Sequence, residues 1–226
     1  PPPRPGGQGA DGADLQRLVA ELVLPSAAGD DERWRGSLAP PPPGEVPAYL
    51  RPLGFAADSG GAWQQGLPGR GPLLEIGVQG HAELGEHTWY LLDCSIAPRC
   101  AERFVRRRRW QVARRLLHLR DLWHCGLKAG LGDDYERFFA GARFAKRGGP
   151  AGTTERLDRW SATVADLISS GALAPSLAAL TLRFLEAPAG QAGADGSAPD
   201  AAALVGPPAF ATPGQVDAAS ADAAGL

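Results

Sequence analysis

The side chains of this sequence that are best suited to chemistry are cationic. In chain order they are Arg106 to Arg109, Arg114, Arg115, Lys146, Arg147 and Arg156. Arginine offers a planar set of N–H donors that matches phosphate oxygens, and the first turn of a helix adds unpaired N–H groups and a positive dipole end. The set therefore predicts the binding of an anion.

Each of these cations also has a purely structural interpretation. The run from Arg106 to Arg109 alternates between the two faces of a strand, where solvated charges commonly protect a sheet edge. Lys146 and Arg147 could merely solubilise their loop, and Arg156 could be an ordinary exposed helix residue. Arg115 stands where a predicted strand passes into an amphipathic helix. For Arg115 alone we favour the functional interpretation.

Sequence patterns of known catalytic and metal sites are not found. No segment matches GxSxG, HExxH or a P-loop, so we expect no enzymatic activity and no cofactor. The cysteines Cys94, Cys100 and Cys125 form no CxxC pair, which favours reduced thiols in a cytoplasmic or nuclear protein. A zinc site would need an irregular set of cysteines and histidines, and we expect none.

Hydrophobic patterning predicts an α+β fold. Three segments with hairpin-like breaks predict a three-stranded antiparallel sheet: Leu73 to Leu84, His87 to Ile96 and Arg103 to Ala113. After Arg115 the apolar spacing changes to three and four residues, which is typical of helices. Three helices are predicted, one ending near Gly130 to Gly132, one introduced by Thr153 and Thr154, and one running from about Pro175 to Pro188. In the second strand, the better core face carries Tyr90, Leu92, Cys94 and Ile96.

Composition divides the chain of 226 residues, which contains 30 Gly and 21 Pro. Residues 1–71 are predicted to be a mostly disordered leader with an isolated short helix at 15–24, and residues 188–226 a disordered tail. Residues 72–187 carry 17 Lys and Arg against 13 Asp and Glu, so we expect a mildly basic folded domain there. No apolar run is long enough to span a bilayer, which excludes an integral membrane protein.

The segment that follows the arginine run reads WQVARRLLHLRDLW. It resembles the W-x-V-x-R-R-Y-S-D-F-x-x-L-H signature of the phox-homology (PX) domain at Trp110, Val112, Arg114, Arg115, Leu119 and Leu122. The order of elements over residues 72–187 is also similar, because that fold has a three-stranded antiparallel sheet, a helix, a membrane-facing loop and further helices. The last of these helices ends in an apolar pair, here Phe184 and Leu185.

The resemblance implies a phosphoinositide site made by three residues. Arg115 matches the arginine that grips the 3-phosphate, and Lys146 falls where the family places a basic residue against the 1-phosphate. Arg156 matches the helix arginine that bonds the 4- and 5-hydroxyls of the inositol ring. Leu116 stands where the family has an aromatic under that ring, so we expect weak binding that Leu116→Tyr would strengthen. We expect the three cationic side chains to converge on one open basic pocket.

Two functions of different classes stay open. The first is a peripheral membrane module that recruits a larger protein to endosomal or other phosphoinositide-bearing membranes, with its basic face attracted to anionic lipid. The second is a PX-like protein-interaction domain that has lost lipid binding and offers its proline-rich leader to partner proteins. Nucleic-acid binding is not expected, because the basic and aromatic residues are not interleaved on a recognisable platform.

Overall fold

The computed structural model describes residues 12–23, 41–42, 44–64, 71–99, 107–145 and 152–188. The helices are α1 (Gly12–Val23), α2 (Val46–Leu50), α3 (Leu116–His118), α4 (Cys125–Leu131), α5 (Asp134–Phe139), α6 (Thr153–Ser169) and α7 (Pro175–Phe184). A 3-10 turn, Arg51–Leu53, follows α2, and a π-helical segment, Leu119–His124, joins α3 to α4. The strands are β1 (Leu73–Leu84), β2 (His87–Ala97) and β3 (Arg108–Arg115). The predicted tail from residue 189 onward lies outside the described residues, as do Lys146 and Arg147.

The three strands form one antiparallel sheet in the order β1-β2-β3, and the main helices follow it in the chain, which confirms the predicted α+β fold. Leu84 pairs with His87 across a two-residue turn in which Gly85 has a φ of 63°. Glycine adopts this left-handed backbone conformation without strain. The third strand, predicted from Arg103 to Ala113, begins at Arg108 and ends at Arg115, five residues after the predicted start and two after the predicted end. Residues 103–106 of the prediction lie outside the described residues.

Strand β1 contains a bulge at Gln79. Val78 pairs with Leu92, whereas Gly80 pairs with Leu91, so Gln79 is an extra residue in the register. An extra residue shifts the alternation of side chains by one position. The even-numbered residues of β1 therefore face the large helical core before the bulge and the opposite side of the sheet after it.

Helix α1 covers that opposite side of the sheet. Its buried residues Leu15, Val19 and Val23 recur every four positions and pack against Ala82, Trp89, Leu91 and Ala113. A Cβ atom at Gly80 would lie 3.0 Å from Leu15 Cδ2, so glycine permits the close approach of α1. The helix expected at 15–24 is present, but the expectation that it is isolated is wrong. The second sheet face is apolar at this end and is buried by α1.

Residues 44–64 also pack against the domain that the sequence assigned to residues 72–187. The buried side chains of this segment in the main core are Val46, Leu50, Leu53, Phe55 and Ala57. Trp63 Nε1 donates a hydrogen bond of 2.6 Å to the Leu173 carbonyl. The prediction of a mostly disordered leader is therefore wrong for this segment. Its helix α2 has only five residues, which is too short for a helical periodicity to be recognised in the sequence.

Helix α6 lies along the outer edge of β1. The backbone N–H groups of Leu74 and Val78 donate to Ser169 Oγ at 2.9 Å and to Asp158 Oδ1 at 2.8 Å. An open strand edge exposes unpaired backbone groups, and here helix side chains satisfy two of them. This pair of hydrogen bonds fixes the rotation of α6 about its axis. It thereby decides which α6 residues face away from the sheet.

The helical core is built around aromatic side chains. Trp123 is fully buried, lies 4.8 Å from Trp160 and 5.0 Å from Phe184 between ring centroids, and donates from Nε1 to Thr181 Oγ1 at 3.1 Å. Trp123 belongs to the π-helical segment, and so does His124. The His124 ring contacts Tyr135 of α5 and Phe144 in the chain after α5. These ring contacts join the π-helical segment to α6, α7 and the chain that follows α5.

Candidate anion-binding groove

An open groove lies beside α6, between that helix and the chain that follows α5. Its cavity volume is about 400 Å³, and its lining residues are Ala140, Gly141, Arg143, Phe144, Arg156 and Arg159. This volume falls within the range of about 300–1,000 Å³ that is typical of small-ligand sites. The groove is therefore large enough for one compact phosphorylated molecule.

Two of the groove arginines come from one turn of α6. An α-helix advances about 100° per residue, so Arg156 and Arg159 project from neighbouring positions three residues apart. Thr154 and Asp158 face β1, where they contact His81 and Val78. Arg156 lies about 160° around the helix axis from both of these positions. Arg156 therefore faces away from the sheet, and Arg159 lies about 60° around the axis from Arg156.

The opposite wall of the groove is formed by residues 140–144. Ala140 and Gly141 are small and exposed, which leaves room between this wall and α6. Arg143 is exposed, and Phe144 is half-buried. The Phe144 ring stacks on His124 with centroids 4.3 Å apart, and Trp160 meets it nearly at right angles at 5.0 Å. The wall thus combines an exposed cation with an aromatic ring that contacts two further rings, those of His124 and Trp160.

The charged side chains in the described lining of the groove are all positive. Arg143, Arg156 and Arg159 are all exposed, and no acidic side chain is among the lining residues that the structure describes. Within the described ranges, none of the three forms an ion pair with a carboxylate. Three unneutralised guanidinium groups around one cavity attract anions, and their donors suit phosphate oxygens.

The beginning of α6 adds to this positive potential. Gly152 precedes the helix with a φ of 101° and provides no side-chain cap for the first backbone N–H groups. A helix of 17 residues carries a positive dipole end at this point. Glu155 in the first turn offsets part of it. Arg156 therefore stands close to a second source of positive charge.

The residues predicted for the site do not all meet here. Arg156 lines the groove, whereas Arg115 does not. Arg115 pairs with Trp89 across β2 and β3, and directly paired residues share a sheet face. Trp89 packs in the cluster under α1, so Arg115 lies on that side of the sheet. Lys146 lies outside the described residues. The residues that the structure brings together with Arg156 in the groove are Arg143 and Arg159.

The other signature arginine, Arg114, has a structural role. It is buried and donates from Nη2 to the Phe184 carbonyl at 2.9 Å, and the same nitrogen lies 3.4 Å from Glu186 Oε1. These contacts satisfy a carbonyl at the end of α7 that the helix itself leaves unpaired. Leu116, at the family's aromatic position, is partly buried against the main core. The signature segment therefore mainly joins the sheet to the helices.

Sequence reasoning missed Arg143, Arg159 and Phe144 as site residues. Neither Arg143 nor Arg159 is among the candidate anion-binding cations that the sequence analysis selected. The three-residue spacing of Arg156 and Arg159 was the available signal, because it places both side chains on one helix face. The position of Phe144 depends on rings that are distant in sequence, so local pattern gives no indication of it.

Titratable groups near the groove are shifted by burial. Burial lowers the pKa of His124, and Lys128 and Arg120 lower it further. His124 Nδ1 is buried and has no hydrogen-bond partner in the part of the chain that the structure describes. Burial also raises the pKa of Tyr135. These shifts favour the uncharged form of both groups, so the positive charge of the groove comes from its arginines.

Two kinds of feature are absent from the described ranges, a cluster of metal ligands and a membrane-spanning helix. These ranges contain no group of three or more His, Cys, Asp and Glu side chains arranged to hold a metal ion. No helix in the same ranges is both long and apolar enough to cross a bilayer. No protein-family model, curated protein or solved structure matches the chain. The groove and the sequence resemblance are therefore the two observations that bear on function.

Proposed function

We propose that the groove binds the phosphorylated head group of a phosphoinositide, and that the protein attaches peripherally to cytoplasmic membrane surfaces carrying such lipids, endosomal membranes among them. The observation that carries the proposal is the set of three exposed arginines around a cavity of about 400 Å³, whose described lining contains no acidic side chain. Guanidinium groups in this arrangement can share the oxygens of one or two phosphates.

The resemblance to the PX domain supports the choice of ligand. Arg156 is the residue on which the two arguments agree, because it matches the family's inositol-binding helix arginine and it also lines the groove. The fold of a three-stranded antiparallel sheet followed by helices agrees with the same family. Arg143 and Arg159 are the additional cations that this proposal assigns to the head group.

The test is sedimentation with phosphatidylcholine vesicles of three kinds: neutral, containing a 3-phosphorylated phosphoinositide, and containing phosphatidylserine at the same total charge. We expect the protein to sediment best with the phosphoinositide vesicles. A charge-assisted hydrogen bond contributes about 1.5–3 kcal/mol, so Arg156→Ala or Arg159→Ala should weaken this binding by about one to two decades.

Arg17→Ala is the matched control, because Arg17 is an exposed arginine on α1 that pairs with Glu21 and does not line the groove. It removes the same charge and should leave binding to phosphoinositide vesicles within about twofold, the effect expected of a distant screened charge. If the unmodified protein and Arg156→Ala bind all three vesicle types equally, the proposal is wrong. The protein-interaction function then becomes the better hypothesis.

A further inference from the structure

Phe144 is the largest apolar side chain among the described residues that line the arginine groove. It is half-buried, and the aromatic rings of His124 and Trp160 contact it from the core side. Its remaining surface therefore contributes to the wall of the cavity that it lines. The groove thus places an apolar surface beside three guanidinium groups.

The position of this ring is well determined. His124 lies nearly parallel to it, with an angle of 25° between the ring planes, and belongs to the π-helical segment. Trp160 is fully buried and donates from Nε1 to the Tyr135 hydroxyl at 3.1 Å, so it cannot easily move away. A ring held by such neighbours loses little conformational freedom when a ligand packs on it.

The combination of charge and ring favours a particular class of anion. A free inorganic phosphate is fully hydrated and gains nothing from contact with a phenyl surface, whereas a phosphate ester on a compact carbon ring can bury C–H groups against it. We propose that Phe144 is a specificity-determining residue, and that it selects phosphate esters carried on a small ring over free phosphates. This inference rests on the proposed function of the groove.

The test is calorimetric titration of the full chain with two soluble probes, pyrophosphate and inositol 1,3-bisphosphate. Phe144→Leu keeps an apolar side chain but removes the flat ring. Aromatic contacts contribute about two- to tenfold in affinity beyond their area. We expect Phe144→Leu to weaken inositol bisphosphate binding by about three- to tenfold and to leave pyrophosphate binding within about twofold.

Two further variants separate the possible failures. Phe138→Leu changes a partly buried phenylalanine of α5 that does not line the groove, and it should leave both affinities unchanged. Arg156→Ala should weaken both probes. Suppose that Arg156→Ala weakens the binding of both probes, while Phe144→Leu either changes neither affinity or lowers both affinities equally. The inference about Phe144 is then overturned, and the arginine site stands. If the unmodified protein binds neither probe, the proposed function itself fails, and this inference fails with it.

Discussion

The carboxylate of Asp158 accepts a hydrogen bond of 2.8 Å from the backbone N–H of Val78, at the open edge of β1. Two other α6 residues also contact β1: Thr154, one helical turn before Asp158, and Ser169, three turns after it. These contacts turn one face of α6 toward the sheet and leave Arg156 on the other. The groove therefore depends on the hydrogen bonds between α6 and the edge of β1 as much as on the arginines themselves.

The first prediction concerns the hydrogen bond between Asp158 and the Val78 backbone. Asp158→Ala leaves the Val78 N–H without its acceptor in a half-buried position, which should lower the free energy of unfolding by about 1–3 kcal/mol. Asp158→Asn keeps an acceptor oxygen and should lose less. Urea denaturation measures both, with Asp166→Ala, an exposed residue of the same helix, as the control. Equal stability of Asp158→Ala and Asp166→Ala would show that the edge contact does not stabilise α6.

The second prediction concerns the attachment of α1. Val19 is fully buried against the sheet, whereas Leu22 on the same helix is 38% exposed. Val19→Asp buries an unpaired charge and should release α1, because a buried charge without a partner costs more than the small apolar cluster contributes. Leu22→Asp introduces the same charge at the surface and should leave α1 in place.

Amide hydrogen exchange reports on this release directly. In Val19→Asp, protection should fall in residues 12–23 and in the facing end of β1, while α6 keeps its protection. Loss of protection throughout the domain would instead mean that α1 and the main core unfold as one cooperative unit. Unchanged protection in residues 12–23 would mean that α1 tolerates the charge and is not held by Val19.

The third prediction compares the two described arginines that the family resemblance selected. Arg156 lines the groove, while Arg115 lies on the sheet face covered by α1. Arg156→Ala should therefore weaken binding to phosphoinositide vesicles by at least tenfold, and Arg115→Ala by less than threefold. The same vesicle sedimentation measures both. A larger loss in Arg115→Ala would place the lipid site at the end of β3, as the resemblance implies.

Much of the fold could be predicted from the sequence. Of the described groove residues, the sequence analysis identified only Arg156. Strand β1 was predicted with its observed ends at Leu73 and Leu84, because apolar alternation and flanking turn residues define a strand locally. The role of α1 was missed, since the bulge at Gln79 reverses the faces of β1 and a bulge leaves no periodic signal. The groove was missed for a similar reason, because the orientation of α6 is decided by contacts about 80 to 95 residues apart in the chain.

The fourth prediction is a pH dependence that comes from His124. Burial, followed by the nearby charges of Lys128 and Arg120, lowers the pKa of His124 in the folded state below its ordinary value of 6.5. Between the folded and unfolded pKa values, the unfolded chain binds a proton that the folded chain does not. The contribution of His124 to stability is therefore fully present above pH 6.5 and is lost as the pH falls through the folded pKa.

The experiment compares the unmodified protein with His124→Phe by urea denaturation at several pH values between about 7.5 and 4.5. Phenylalanine keeps a ring that can stack on Phe144, but it cannot take up a proton. The stability of both proteins should fall in acid as carboxylates titrate, with a steeper fall below pH 6.5 in the protein that retains His124. Because His124 supports Phe144 from behind, its protonation should also disturb the groove wall at acidic pH. Parallel stability curves for the two proteins would show that His124 titrates alike in the folded and unfolded states, and that the ring stack carries no pH dependence.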